Sequence, residues 1–89
     1  MIEKEIQIVN KLGLHARAAA KLVSTANRFG SRSQLVFGDQ TADAKSIMSV
    51  MILAASQGSI ITLTCEGEDE EQAMQALEEL INGYFDEAE

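Results

Sequence analysis

Within residues 59–66, SIITLTCE, apolar and polar side chains alternate strictly from Ile61 to Glu66. Successive side chains of a strand point to opposite faces. Ile61, Leu63 and Cys65 therefore share one face, and Thr62, Thr64 and Glu66 the other. Such a strand is buried on one side only. It needs neighbours in a sheet and an apolar layer laid over one face. Gly58 and Gly67 bracket it as turn residues. The rest of the chain has to supply both partners and cover.

Three other segments read as strands. Residues 2–9, IEKEIQIV, put Ile2, Ile6 and Ile8 on one face, with Lys4 interrupting the set. Residues 31–37 place Ser33, Leu35 and Phe37 together, and residues 40–43 return after a Gly38-Asp39 turn. Three segments read as helices. Residues 16–28 carry Ala19, Leu22, Val23 and Ala26 at core spacing and stop at Phe29-Gly30. Residues 45–55, KSIMSVMILAA, form a second helix with Ser46 as N-cap. Residues 69–84 form a third, opened by an Asp69/Gln72 capping box and buried through Ala73, Leu77, Leu80, Ile81 and Tyr84. Residues 85–89 follow as an acidic tail. The order β-α-β-β-α-β-α predicts an α+β open-faced β-sandwich. Its four-stranded antiparallel sheet is covered on one face by three helices, in a single domain over residues 1–89.

Composition narrows the function. The net charge is −7, yet all seven Lys and Arg lie in residues 1–45 with four acids, so that half is +3 and residues 46–89 are −10. A nucleic-acid partner calls for a basic excess, which the whole chain lacks. A basic half presented to an acidic protein fits better. No stretch is long and apolar enough to enter a membrane, and no signal-peptide pattern opens the chain. Cys65 stands alone, which excludes an internal disulfide and a multi-cysteine metal site. A cytoplasmic protein without metal or cofactor is expected.

One constellation carries chemistry. His15, the sole histidine, follows Gly13-Leu14 and opens the alanine-rich run 16–20. That places an imidazole at or beside a helix N-cap, where the first amides lack helix partners and the peptide dipoles favour an anion. Arg17 adds a fixed cation with several donors. A helix N-terminus disfavours imidazolium, so a neutral, nucleophilic ring is expected. Such a ring can attack phosphorus, and Arg17 with the amides of Ala16 and Arg17 can hold the resulting phosphate. The first helix also bears a polar stripe of Arg17, Lys21, Ser24 and Arg28, and no acid occurs from Val9 to Gly38. The second helix has almost no polar face, so Ile47, Met48 and Met51 are expected to form an exposed docking patch.

The segments Gly13-Leu14-His15-Ala16-Arg17 and Lys45-Ser46-Ile47-Met48-Ser49-Val50-Met51 resemble HPr, the histidine phosphocarrier family of the bacterial phosphotransferase system, together with its nitrogen-related branch NPr. The resemblance covers essentially the whole chain. It implies that His15 is phosphorylated by enzyme I, that Arg17 helps hold the phosphate, and that the group passes to a IIA-type acceptor. It implies further that Ser46 matches the serine modified by the HPr kinase/phosphorylase of some bacteria. A phosphate there suits a helix N-terminus but sets negative charge beside an apolar patch. Leu14, Lys21, Ile47, Met48 and Met51 are expected to meet partners, with the chain acting as a monomer. The family usually has proline after the active-site arginine. This chain has Ala18 and no proline at all, which restores one amide at the helix start. A small enzyme would need its own acid, base and pocket, which the sequence does not offer. A regulatory module that binds partners without histidine phosphotransfer is the alternative.

Overall fold

A computed structural model describes residues 1–88 of the chain. The expected acidic tail ends in Glu89, which lies outside the described residues. Four strands, β1 (Ile2–Gln7), β2 (Arg32–Phe37), β3 (Gln40–Asp43) and β4 (Ile60–Glu66), form one sheet in the order β1-β4-β2-β3, all pairs antiparallel. The alternating strand is thus an interior one. Ile61 lies opposite Ile6 of β1, and Leu63 opposite Leu35 of β2. Its Ile61, Leu63 and Cys65 are fully buried. The helices α1 (Ala16–Ala26), α2 (Ile47–Ile52) and α3 (Glu70–Asn82) complete the expected order, so the open-faced α+β sandwich stands.

Several boundaries and contacts differ from expectation, each for a local reason. The second helix ends at Ile52 rather than Ala55, and Ala54 takes a left-handed φ of 53° that leads the chain out towards β4. Only Val50 of α2 is buried. In α1, Ala18 joins Ala19, Leu22 and Ala26 in the core, while Val23 is half-buried. In α3 the buried stripe is Ala73, Met74, Leu77 and Ile81. Tyr84 is exposed and Phe85 fills the core in its place, because the chain reverses just after the helix. Leu14, expected at the docking surface, is only 4% exposed and belongs to the core. It follows the Gly13 turn with its amide tied to the Ala55 carbonyl, and its side chain is turned into the core rather than at a partner.

The expected capping box at Asp69 does not form. Asp69 is the N-cap of α3 by position, but its carboxylate accepts from the Gly30 and Ser31 amides, both at 2.9 Å, and from the Ser31 hydroxyl. Glu70 takes the Gly67 amide instead, at 3.1 Å. One carboxylate therefore joins the turn leaving α1 to the turn entering α3. Lys45 reinforces the same end, its Nζ donating to the Phe29 carbonyl at 2.8 Å.

The Ser31 hydroxyl and the Gly30 amide hold the Asp69 carboxyl below the usual carboxylate range. A depressed carboxyl stabilises the fold above its unfolded-state value and loses that contribution as pH falls through its folded value. Urea unfolding should therefore show stability declining as pH drops from about 5 to below 4. Asp69→Asn should be less stable than the parent at pH 7 and show a flatter decline across that window.

Candidate functional site

The site is built from the turn upward. Gly13 holds a φ of +66°, and a Cβ there would stand 2.5 Å from the Ala55 carbonyl oxygen and 2.8 Å from Ser56 Cα. Only glycine lets this turn lie against the segment joining α2 to β4. The Leu14 amide donates to the same Ala55 carbonyl at 2.9 Å. His15 comes next in extended conformation and is the N-cap of α1. Its imidazole does what a capping hydroxyl ordinarily does, with Nδ1 accepting from the Arg17 amide at 3.3 Å. Ala19 is the first residue whose amide reaches a helix carbonyl, that of His15 at 2.8 Å. The amides of Ala16, Arg17 and Ala18 precede that ladder and point towards the helix start.

The far side of the ring meets a residue the sequence analysis left in the tail. Glu87 Oε2 lies 2.5 Å from His15 Nε2, and Glu87 Oε1 accepts from Asn10 Nδ2 at 3.0 Å. Asn10 is fully buried and its Nδ2 also donates to the Gly13 carbonyl at 2.9 Å, tying the turn to the tail. The Glu87 side chain is 10% exposed and that of His15 26%. The Asn10 amide, chiefly, and the imidazole hold the Glu87 carboxyl below its ordinary range, against the opposing effect of desolvation.

Reaching this position requires an unusual backbone. Tyr84, Phe85 and Asp86 all adopt positive φ, at 62°, 53° and 62°. Left-handed non-glycine residues cost roughly 1–2 kcal/mol each. Burial of Phe85 offsets part of that cost, and Lys21 Nζ donates to the Phe85 carbonyl at 2.7 Å. Lys21, expected to face partners, is thus engaged by the tail. No signal in a linear reading joins residue 87 to residue 15. The cue present was an isolated aromatic, Phe85, beyond the last helical stripe.

His15, Ala16, Arg17 and Glu87 line a cleft of about 580 Å³, together with Lys11 and Leu12. Among the described residues no acceptor holds the Arg17 guanidinium, which is exposed at its rim. Ser46 caps α2, its hydroxyl accepting from the Ser49 amide at 3.4 Å. Behind it Ile47, Met48, Met51 and Ile52 are exposed, Met48 to 66%. Ile52 is a member of this apolar surface that the sequence analysis did not single out. Helices α1 and α2 pack together.

A small open sandwich with an imidazole at a helix N-terminus, an adjoining cation and an apolar flank has the parts of a group-carrying protein. A family model described as PTS HPr component phosphorylation site matches residues 2–83. The phosphocarrier protein HPr of Xylella fastidiosa is 54% identical over 87 residues, which covers 98% of each chain. A crystal structure of HPr from Thermoanaerobacter tengcongensis superposes with a TM-score of 0.96 at 46% identity, covering both chains fully. A dimeric HPr crystal structure from the same organism gives 0.79 at 47% identity, over 98% of this chain and 100% of that one. The chain belongs to the HPr family of phosphocarrier proteins, and its role is phosphotransfer.

Gly13→Ala tests how the site is held. A Cβ pressed against the Ala55–Ser56 backbone, at positive φ, should destabilise the protein by about 2–4 kcal/mol in urea unfolding. The imidazole is displaced with the turn, so phosphorylation should slow even where the variant is folded.

Proposed function

We propose that His15 accepts a phosphoryl group from phospho-enzyme I, drawn originally from phosphoenolpyruvate, and passes it to IIA-type acceptors. The observation that carries this reading is the imidazole at the α1 N-cap, with Nδ1 turned towards the first helical amides beside Arg17. The Nδ1 lone pair attacks phosphorus as the donor's phosphorus–nitrogen bond breaks, and the donor nitrogen keeps the electron pair. The amides of Ala16 and Arg17, with the Arg17 guanidinium, then hold the phosphate oxygens. Ala18 contributes a further amide to the same turn where a proline has none. In the return step the acceptor takes phosphorus and Nδ1 recovers its pair. The protein is itself the covalent phosphohistidine intermediate, so it is a carrier rather than an enzyme and calls for no cofactor of its own.

Ile47, Met48 and Met51 form the docking surface in this reading together with Lys21, and Ile52 extends it. Flexible methionines suit a surface that must meet a donor and several acceptors. Ser46 is the regulatory position, open to an HPr kinase/phosphorylase. Its phosphate would place charge beside the apolar patch, at the start of α2. The 89 residues work as one cytoplasmic domain and a monomer, bound neither to nucleic acid nor within a membrane.

Intact mass after incubation with phosphoenolpyruvate, magnesium and enzyme I checks the assignment. One phosphate is expected on the parent and none on His15→Ala, and it should be lost in acid and retained in base. Arg17→Ala should still be modified, about a hundredfold more slowly. An unmodified parent with its cognate enzyme I would replace histidine transfer by the regulatory-module reading.

A further inference from the structure

We propose that Glu87 is a positioning residue for phosphotransfer, one that fixes the proton of His15 on Nε2 and so leaves Nδ1 free as the nucleophile. The inference rests on the carrier reading above and deepens it. Two hydrogen bonds determine the ring's tautomer. An ionised carboxylate only accepts, so the nitrogen 2.5 Å from Glu87 must donate. A backbone amide only donates, so the nitrogen facing Arg17 must accept. Both conditions are met by one tautomer, with the proton on Nε2 and the lone pair on Nδ1. The carboxylate's other oxygen is committed to Asn10, which leaves Glu87 little freedom to turn away.

The step itself gives the carboxylate a second task. When Nδ1 bonds phosphorus and Nε2 keeps its proton, the ring becomes positively charged. Arg17 and Lys21 on α1, and Lys11 in the preceding turn, are the cations around the site. Among the described residues Glu87 is the carboxylate in contact with the ring, so it opposes their effect on the charged ring. Asp86 shares the tail but makes no ion pair with the imidazole. A positively charged ring is also the better leaving group when phosphorus moves on to an acceptor. Three consecutive left-handed residues, held by buried Phe85 and by Lys21, place this one carboxylate against the imidazole. A tail that served only to cover the core would need Phe85 and nothing beyond it.

Glu87→Gln separates positioning from packing. The glutamine has the same shape but one oxygen, and Asn10 Nδ2 requires that oxygen. Its amino group then faces Nε2 and favours the proton on Nδ1, against the Arg17 amide. Glu87→Ala removes the restraint without imposing the wrong one. Nitrogen-15 NMR of the unphosphorylated imidazole reads the tautomer directly. Single-turnover transfer from phospho-enzyme I reads the consequence. The expected order of rates at saturating donor is parent, then Glu87→Ala, then Glu87→Gln, with Glu87→Gln slower than the parent by at least about tenfold. Half-saturating donor concentrations should change little. Asp86→Asn makes the same change in charge on the same tail, and asparagine tolerates its left-handed backbone, so it should match the parent. Unmoved ring-nitrogen signals in both Glu87 variants overturn the proposal. So does Glu87→Gln transferring at the parent's rate, or Glu87→Ala transferring faster than the parent. A parent that takes no phosphate at all defeats the carrier reading instead, and the nitrogen signals still decide the tautomer.

Discussion

The pairing of β4 on both edges is the constraint from which the rest of the molecule follows. A strand between two partners satisfies its backbone on both sides, so its side chains alone decide which face is covered. Ile61, Leu63 and Cys65 are all fully buried, and the residues between them look away. Because β1 and β2 both run antiparallel to β4, they run parallel to each other, and α1 has to cross over the covered face to join them. The start of that crossover is where His15 stands. The N-terminal end of α1 is therefore placed by the sheet topology. It emerges where the chain leaves β1, against the segment from Ala55 that feeds β4. The segment that feeds β4 thus forms the wall of the turn, and Gly13 is the residue small enough to lie against it.

The strands were legible in the sequence because a half-buried sheet imprints period-two patterning directly, and residues 61–66 carry it without exception. The caps at His15 and Ser46 were legible because helix starts have local chemistry. What could not be read had non-local causes. Asp69 sits where a capping box belongs, but the Gly30 and Ser31 amides compete for its carboxylate from 38 residues or more away in sequence. Leu14 belongs to the Gly13–Arg17 motif at the site, yet its burial depends on which way the Gly13 turn faces. Tyr84 and Phe85 exchange places because a left-handed turn shifts the side-chain direction after the helix. Glu87 was hidden for the same reason. Its contact spans 72 positions and depends on a backbone that sequence preference argues against.

A carrier faces a requirement that a one-way binder does not. It must hold the phosphoryl group well enough to keep it from water and loosely enough to give it up. The site combines strong and weak elements in that sense. In the proposed carrier reading the helix amides and Arg17 hold the phosphate in a cleft open to solvent, where water moderates charge-assisted bonds. The imidazole is more restrained than the anion site it serves, anchored through Nδ1 on one side and Nε2 on the other. In the same proposed reading the apolar α2 surface meets partners while the start of α1 holds the group, so the two tasks draw on different residues. Partners can then share one docking face without competing with the chemistry beside it.

The division of charge along the chain completes the argument. Residues 1–45 carry +3 and residues 46–89 carry −10, and the site draws on both. Arg17 and Lys21 come from the basic half, Glu87 from the acidic half, and Asn10 lies between them as a neutral bridge to the turn. If the site were wholly basic, the cations would favour an anion yet work against a positively charged ring. A wholly acidic one would repel the phosphate. Bringing one carboxylate across the fold to the side of the ring away from the anion site answers both demands, because the two faces of the imidazole meet opposite charges. The left-handed turn at residues 84–86 is the structural cost of that arrangement. It is borne where Phe85 and the Lys21–carbonyl contact can offset it, at the point where the chain leaves its last helix.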